Sequence, residues 1–152
     1  HPLSLLCRAN GHCRYFYSVA QHTLNCAREA AGRGHSRRVQ LGCLLHDGSE
    51  AYIADITRPT KKYLTRYLEI EKAIQDTIFK KYGLGDLSDE ERRQIFEIDD
   101  HMLYHEFWAL NETLLSDSLP ALSSTPDFSM RPMDEVEQEY LNTFYRLYNQ
   151  TI

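Results

Sequence analysis

Apolar side chains recur along most of the chain at spacings of three and four residues, which is the period of an amphipathic helix. No segment shows the alternation of apolar and polar residues, bounded by hairpin turns, that is typical of a strand. The pattern therefore predicts an all-α protein. We expect about six helices, over residues 3–9, 18–31, 36–51, 62–82, 89–115 and 133–148.

Local signals mark where several of these helices begin and end. Ser18 with Gln21, and Ser88 with Glu91, have the spacing of capping boxes, in which each side chain accepts a hydrogen bond from the backbone N–H of the other residue. Residues 55–62 contain Pro59 and are predicted to form a loop, because proline and the residue before it disfavour helix. A second loop is predicted over residues 116–130, which are polar and contain two prolines.

The size and charge of the chain limit the classes of function. Its 152 residues, 42% of them hydrophobic, suffice for one folded domain, which we expect to span residues 1–152. The net charge of −5 argues against a broad nucleic-acid-binding surface. The chain begins at His1 and not at methionine, so we expect the natural N-terminus to have been lost or trimmed. No apolar run reaches the ~20 residues of a membrane span, and no Cys-x-x-Cys pair occurs, so we predict a cytoplasmic protein with reduced thiols.

One largely apolar segment, LGCLLHDGSEAYIAD over residues 41–55, carries four groups that are costly to bury without partners. They are His46, Asp47, Glu50 and Asp55. If the predicted helix over residues 36–51 is continuous, His46 and Glu50 are neighbours one turn apart on one face. A metal ion is the usual partner of an adjacent His and Asp, and it would supply what the segment lacks.

Two other predicted helices can supply further ligands. His22 shares a face with Cys26 on the preceding helix, and Asp99 shares a face with Met102 and Glu106 on a later one. Two imidazoles and two carboxylates form a mixed nitrogen and oxygen set that suits a first-row divalent metal. The residue types alone leave a metal site and a structural cluster equally open. We interpret four other histidines as ordinary core or surface residues: His12, His35, His101 and His105.

The segments YSVAQH and LLHDGSEAYIADITRPTK resemble the HD superfamily of metal-dependent phosphohydrolases. The resemblance is to the bacterial and phage branch that includes the 5'-deoxynucleotidases. It runs from Ser18 to Lys61 and extends more loosely over nearly the whole chain. It implies an HD-domain helical bundle with one divalent metal ion, of Co, Mn, Fe, Zn, Ni or Mg, bound between helices.

The same resemblance implies roles for individual residues in this site. The implied metal ligands are His22, His46, Asp47 and Asp99. The last of these depends on the register of its helix, and Asp100 is the alternative. The implied catalytic residues are Glu50, which matches the catalytic glutamate of the family, and Asp55, which matches the second acid of its active site.

The implied substrate-binding residues are Arg8, Arg58 and Lys61, which are placed to bind phosphate oxygens. The family pattern has a tryptophan directly after the arginine that Arg8 matches, but Ala9 stands there in this chain. The single tryptophan, Trp108, is far away in sequence. The part of the site that would hold the sugar should therefore be less enclosed. This predicts a weaker preference for deoxy over ribo substrates than in relatives that carry the tryptophan.

The function that the resemblance implies is hydrolysis of the 5'-phosphate of nucleoside or deoxynucleoside monophosphates. One alternative is a nucleoside triphosphohydrolase, and another is a nucleotide-binding HD protein without turnover. A purely structural helical domain is the remaining class. The expected partner is a nucleotide substrate, with no nucleic-acid polymer and no membrane, and homodimer formation is left open.

Overall fold

The computed structural model describes residues 1–149. Within them the chain is helical apart from its loops and one isolated antiparallel pairing of Cys7 with Ser18, so the predicted all-α class is confirmed. A 3-10 turn lies at Arg8–Gly11. The α-helices are α1 (Pro2–Leu5), α2 (Val19–Gly32), α3 (Arg37–Leu45), α4 (Glu50–Ile53), α5 (Arg58–Lys61), α6 (Thr65–Lys81), α7 (Asp89–Asn111) and α8 (Met133–Tyr148).

Both predicted capping boxes are present. Ser18 Oγ accepts from Gln21 N–H at 3.1 Å while Gln21 Oε1 accepts from Ser18 N–H at 3.2 Å. Ser88 and Glu91 exchange the equivalent bonds at 3.2 and 2.8 Å. Each box satisfies backbone N–H groups that have no partner within the helix. The first box fixes the start of α2 at Val19, which places His22 in its first turn.

Helix α2 lies at the centre of the molecule, with α1, α3, α7 and α8 packed against it. Because it has almost no solvent-facing side, its polar residues must find partners inside the protein. His22, Asn25 and Glu29 are the buried polar residues on which the later description depends. The surrounding core includes several fully buried apolar side chains: Leu24, Leu41, Leu44, Ile98 and Met102.

The N-terminal segment differs from the prediction of a helix over residues 3–9. Helix α1 ends at Leu5, because the following residues pair with the strand-like segment before α2. Val19 N–H donates to Leu6 O at 3.0 Å, and Arg8 N–H donates to Tyr17 O at 2.8 Å. This pairing carries Arg8 alongside the first turn of α2.

Three other boundaries also differ. The predicted loop over residues 55–62 contains α5, because Pro59 lies in its first turn, where a helix needs no N–H donor. Helix α7 ends at Asn111 and not at residue 115, since Glu112 takes a left-handed conformation with φ of 54°. The predicted helix over residues 36–51 is interrupted between Leu45 and Glu50.

Residues 112–132 connect α7 to α8 without helix or strand, as predicted for most of this stretch. Buried side chains of α2 hold the connector in place. The Glu29 carboxylate accepts from the N–H groups of Ser123 and Ser124, each at 2.9 Å, and Asn25 Nδ2 donates to Asp127 O at 2.9 Å. Among the helices of residues 1–149, none combines the length and apolarity needed to cross a bilayer.

Candidate metal centre

The interruption after α3 shapes the centre. Over residues 46–49 the chain forms 3-10-type bonds, from Gly48 N–H to Leu45 O at 2.9 Å and from Glu50 N–H to Asp47 O at 3.1 Å. Ser49 N–H donates instead to the side chain of Gln75, at 3.1 Å. The expectation that His46 and Glu50 stack one turn apart on a continuous helix is therefore wrong.

Side chains satisfy the carbonyl groups at the end of α3. Cys43 O accepts from His46 Nδ1 at 2.7 Å, and Leu44 O accepts from the Tyr140 hydroxyl at 2.9 Å. Leu45 O accepts from Gln75 Nε2 at 2.8 Å. The helix can stop inside the protein because these side-chain donors, together with Gly48 N–H on Leu45 O, bond its last carbonyl groups.

The turn brings His46 and Asp47 to a common point with His22 of α2 and Asp99 of α7. His22 Nε2 lies 3.2 Å from His46 Nε2, 3.1 Å from Asp99 Oδ1 and 3.5 Å from Asp47 Oδ2. His46 Nε2 lies 3.4 Å from Asp47 Oδ1 and 3.5 Å from Asp99 Oδ1. The four residues proposed as metal ligands from the sequence thus converge in space.

The spacing of these atoms fits a single ion. Ligand atoms about 2.1 Å from one metal lie about 3.0 Å apart at right angles and about 3.4 Å apart at the tetrahedral angle. The separations between the nitrogen and oxygen atoms, 3.1 to 3.5 Å, are within about 0.1 Å of this range. The donor set, two imidazoles with two carboxylates, is also one that divalent first-row metals accept.

Both imidazoles are held by hydrogen bonds at their far nitrogens. His22 Nδ1 donates to Glu106 Oε1 at 2.6 Å, and His46 Nδ1 donates to the carbonyl of Cys43. With Nδ1 donating to these acceptors, each Nε2 faces the other ring and the carboxylates. It donates to Asp99 when the ring is protonated and offers its lone pair to a metal ion when the ring is neutral. Metal-binding histidines usually have such a carboxylate or carbonyl partner on the second nitrogen.

The charges around the centre favour a cation. Burial alone would lower the pKa of His46, but Asp47 and Asp99 raise it. Burial alone would raise the pKa of Asp99, but hydrogen bonds from His22 and His46 hold it well below its ordinary value. Positive charge at the point between these groups is therefore stabilised by the protein.

The two neighbouring aspartates of α7 have different surroundings. Asp99 Oδ1 faces the imidazoles, whereas Asp100 Oδ1 accepts from Arg58 Nη1 at 2.7 Å on the outside of α7. Arg58 Nη2 also donates to Asp99 Oδ2, at 3.0 Å. The geometry thus favours Asp99 over Asp100 as the fourth member of the cluster.

Cys26 adds a thiol to this region. Ligand atoms of His22, Cys26 and His46 lie within 4.8 Å of one another, a grouping compatible with a bound metal ion. However, Cys26 Sγ is nearly equidistant from His22 Nε2 and Nδ1, at 3.7 and 3.9 Å, so it lies beside the ring and off the axis of the Nε2 lone pair. Burial raises the pKa of Cys26 to about 11, which keeps the thiol protonated and favours a packing role.

A cavity of about 330 Å³ adjoins the cluster. Two members of the cluster, Asp47 and Asp99, also line this cavity. The rest of its polar wall consists of the remaining predicted site residues: Arg8, Glu50, Asp55, Arg58 and Lys61. Its other wall is apolar and comprises Ile56, Pro59, Leu103, Phe107, Leu110 and Leu115. Every residue implicated by the sequence therefore lies either in the cluster or on this cavity.

The two predicted catalytic acids differ in their hydrogen bonding. Glu50 is buried, and its Oε2 has no hydrogen-bond partner within residues 1–149. Burial, with added repulsion from Asp47 and Asp55, raises the pKa of Glu50 to about 10. Asp55 is fixed by the Ala9 N–H, which donates to Asp55 Oδ2 at 2.7 Å. Between them Ala54 holds a strained backbone, with φ of 68° and ψ of 164°, of a kind that tends to occur at functional sites.

The basic residues sit at different depths. Arg8 lies among carboxylates, 3.2 Å from Asp47, 3.5 Å from Asp99 and 3.4 Å from Glu106. Lys61 is partly buried and pairs with Glu71 of α6 at 2.6 Å. Arg58 is half-exposed at the rim, where it pairs with the aspartates of α7.

Two polar residues of the centre were given no role from the sequence. Glu106 follows Asp99 by seven residues, and the helical spacing predicted that the two share a face but not that Glu106 bonds His22. Gln75 lies on α6, 29 residues after His46, and carries no motif that would have drawn attention to it.

Comparison with known proteins adds little to the assignment of function. No family model matches the chain. The chain is similar to the uncharacterized protein YfdR of Escherichia coli (strain K12), with 40% identity over 82 residues. The match covers 54% of this chain and 43% of YfdR, so it spans less than half the length of that relative.

Proposed function

We propose that this protein is a metal-dependent phosphohydrolase that removes the 5'-phosphate from nucleoside and deoxynucleoside monophosphates. The observation that carries the proposal is the pair of Nε2 atoms of His22 and His46, 3.2 Å apart and facing the carboxylates of Asp47 and Asp99. Because both Nδ1 atoms are already bonded elsewhere, a cation between the four side chains is the partner that satisfies all of them.

The ligands in this proposal are His22, His46, Asp47 and Asp99. When bound there, a divalent ion supplies positive charge to phosphoryl oxygens and makes a coordinated water more acidic. All four side chains stand on packed helices or on the turn that Gln75 bonds, so they need little rearrangement to act together.

Hydrolysis of the monoester forms a bond from a water oxygen to phosphorus and breaks the bond from phosphorus to the 5'-oxygen, which takes up a proton. Glu50 is suited to move this proton, because its Oε2 is buried beside the cluster and bonded by no other group in the part of the chain that the structure describes. Asp55 is held by Ala9 N–H and lines the cavity, so it is suited to orient the water or a sugar hydroxyl.

The lining of the cavity supports a nucleotide as substrate. Arg8, Arg58 and Lys61 offer charge-assisted hydrogen bonds to phosphate oxygens. The apolar wall, which includes Phe107, suits a nucleobase. The volume of about 330 Å³ is near the lower end of the ~300–1,000 Å³ usual for small-molecule sites, which favours one phosphate group over three.

The test is a panel of ribo- and deoxynucleoside mono- and triphosphates, with product analysis, in the presence of Mn²⁺, Co²⁺, Mg²⁺ or Zn²⁺. We expect inorganic phosphate and a nucleoside from monophosphates, and no product after chelation. Glu50→Gln is the control for contaminating phosphatases and should lose at least ~10²-fold in rate while keeping its metal. Release of triphosphate from the triphosphates, or nucleotide binding without product, would contradict the proposal.

A further inference from the structure

We infer that Gln75 is a positioning residue for the candidate metal centre. Its side-chain amide replaces a helical hydrogen bond between Leu45 and Ser49 and so creates the turn that carries His46 and Asp47. The inference rests on the proposed function only in that these two residues are its proposed metal ligands.

The two contacts of the amide define its role. Gln75 Oε1 accepts from Ser49 N–H at 3.1 Å, and Gln75 Nε2 donates to Leu45 O at 2.8 Å. In a continuous α-helix, Ser49 N–H would donate directly to Leu45 O, four residues earlier. A side chain inserted between such a pair is an established cause of a break in a helix. The amide orientation is fixed, because an N–H needs an acceptor and a carbonyl needs a donor.

Helix α6 is packed closely enough to hold this insertion. A Cβ added to Gly48 would lie 3.0 Å from Leu45 O and 3.1 Å from Ile78 Cδ1. Ile78 follows Gln75 by three residues and therefore lies on the same face of α6. Ile78 fills the space beside the turn while Gln75 forms its hydrogen bonds.

The turn changes where the ligand side chains point. Consecutive residues of an α-helix project about 100° apart, since 3.6 residues make one turn. The tighter 3-10 turn projects them about 120° apart. In this arrangement His46 Nε2 lies 3.4 Å from Asp47 Oδ1, while Asp47 Oδ2 and His46 Nε2 lie 3.5 and 3.2 Å from His22 Nε2. Gln75 has no hydrogen bond to any of these ligands, so it acts only through the backbone of residues 45–49.

The decisive variant is Gln75→Met, which keeps the length of the side chain but cannot bond to either backbone group. Ser49 N–H should then bond Leu45 O directly, and the helix should continue through residues 46–49. We expect Co²⁺ affinity, measured by titration of the visible absorption band, to fall 10–100-fold. The melting temperature of the metal-free protein should not fall, because Leu45 O then supplies the partner that Ser49 N–H loses. Gln138→Met, at an exposed position of α8, is the matched control and should change neither quantity.

A Gln75→Met protein that binds Co²⁺ within twofold of wild type, with the same absorption band, would overturn the inference. If this variant does not fold, Gln75→Glu is measured instead. Its carboxylate still accepts from Ser49 N–H but repels Leu45 O. A Co²⁺ affinity equal to that of the wild type in this variant would also overturn the inference. If the wild type itself binds no metal, the proposed function fails. The inference is then decided by crystal structures, in which an unchanged turn in Gln75→Met contradicts it and a continuous helix supports it.

Discussion

Replacing Glu106 by glutamine tests whether this carboxylate orients His22 for metal binding. Glu106 Oε1 accepts from His22 Nδ1 at 2.6 Å and from the Tyr17 hydroxyl at 3.1 Å, while Oε2 accepts from Arg8 Nε at 3.4 Å. The amide oxygen of glutamine can keep the first two bonds. Its NH₂ group must then face the Arg8 Nε–H, which is also a donor.

The expected magnitude follows from these contacts. The substitution loses one charge-assisted bond and weakens the short bond to His22. Outer partners of metal-binding histidines are worth about 10–100-fold in metal affinity, which is about 1.4–2.7 kcal/mol. We expect the upper half of this range, because 2.6 Å is characteristic of a strong charge-assisted bond.

The matched control is Glu29→Gln, since Glu29 is also a fully buried helical carboxylate but bonds Arg33 and the 112–132 connector. Competition with a chelator should show weaker Co²⁺ binding in Glu106→Gln and unchanged binding in Glu29→Gln. Equal affinities of wild type and Glu106→Gln would refute the role of this carboxylate.

The control also carries a pH signature. Burial alone would raise the pKa of Glu29, but bonds from Ser124 and Arg33 lower it. A lowered pKa stabilises the fold above the unfolded value, about 4.3, and this stability is lost as pH falls through the folded pKa. Urea unfolding should therefore show Glu29→Gln less stable than wild type at pH 7, with the difference shrinking in acid. A constant difference would contradict this account of Glu29.

Three further substitutions test other parts of the centre. Glu50→Gln should raise the stability of the metal-free protein by about 1 kcal/mol, or roughly 2–4 °C in Tm. The reason is that folding at neutral pH must protonate the buried Glu50 carboxyl, whose pKa is raised to about 10. A lower Tm in calorimetry would contradict this. Gly48→Ala should lower the free energy of unfolding by about 1–3 kcal/mol, because the added Cβ would press against Ile78. Helix propensity alone predicts a gain of about 1 kcal/mol, so a gain measured by urea unfolding would refute the packing argument. Arg8→Lys should raise KM about 10-fold without loss of metal, since lysine cannot form the paired hydrogen bonds that arginine makes to two phosphate oxygens. An unchanged KM would show that Arg8 does not bind the phosphate.

Local rules sufficed for much of the fold. The capping boxes at Ser18 and Ser88 are formed by residues three positions apart, so their spacing alone predicts where α2 and α7 begin. The helical period likewise placed Asp99 on a buried face with Met102, and the structure has both on the inner side of α7. These features depend only on contacts within one helix.

Features that depend on distant residues were not predictable in this way. At the break after Leu45 the backbone bonds Gln75 of another helix, and within residues 36–51 Gly48, a poor helix former, is the signal that points to the break. The early end of α1 likewise depends on pairing of Leu6 with Val19. Both differences from the prediction change the position of site residues. The break after Leu45 changes the direction of the His46 side chain, and the early end of α1 brings Arg8 to the cavity.

We propose that one ion is held by His22, His46, Asp47 and Asp99. The most direct test is metal stoichiometry after equilibrium dialysis, compared among wild type, Asp99→Ala and Asp100→Ala. The two variants remove neighbouring carboxylates of α7, of which only Asp99 faces the imidazoles. We predict one ion per chain in wild type and Asp100→Ala, and little or none in Asp99→Ala. Retention of the ion in Asp99→Ala, or its absence from the wild type, would contradict the account.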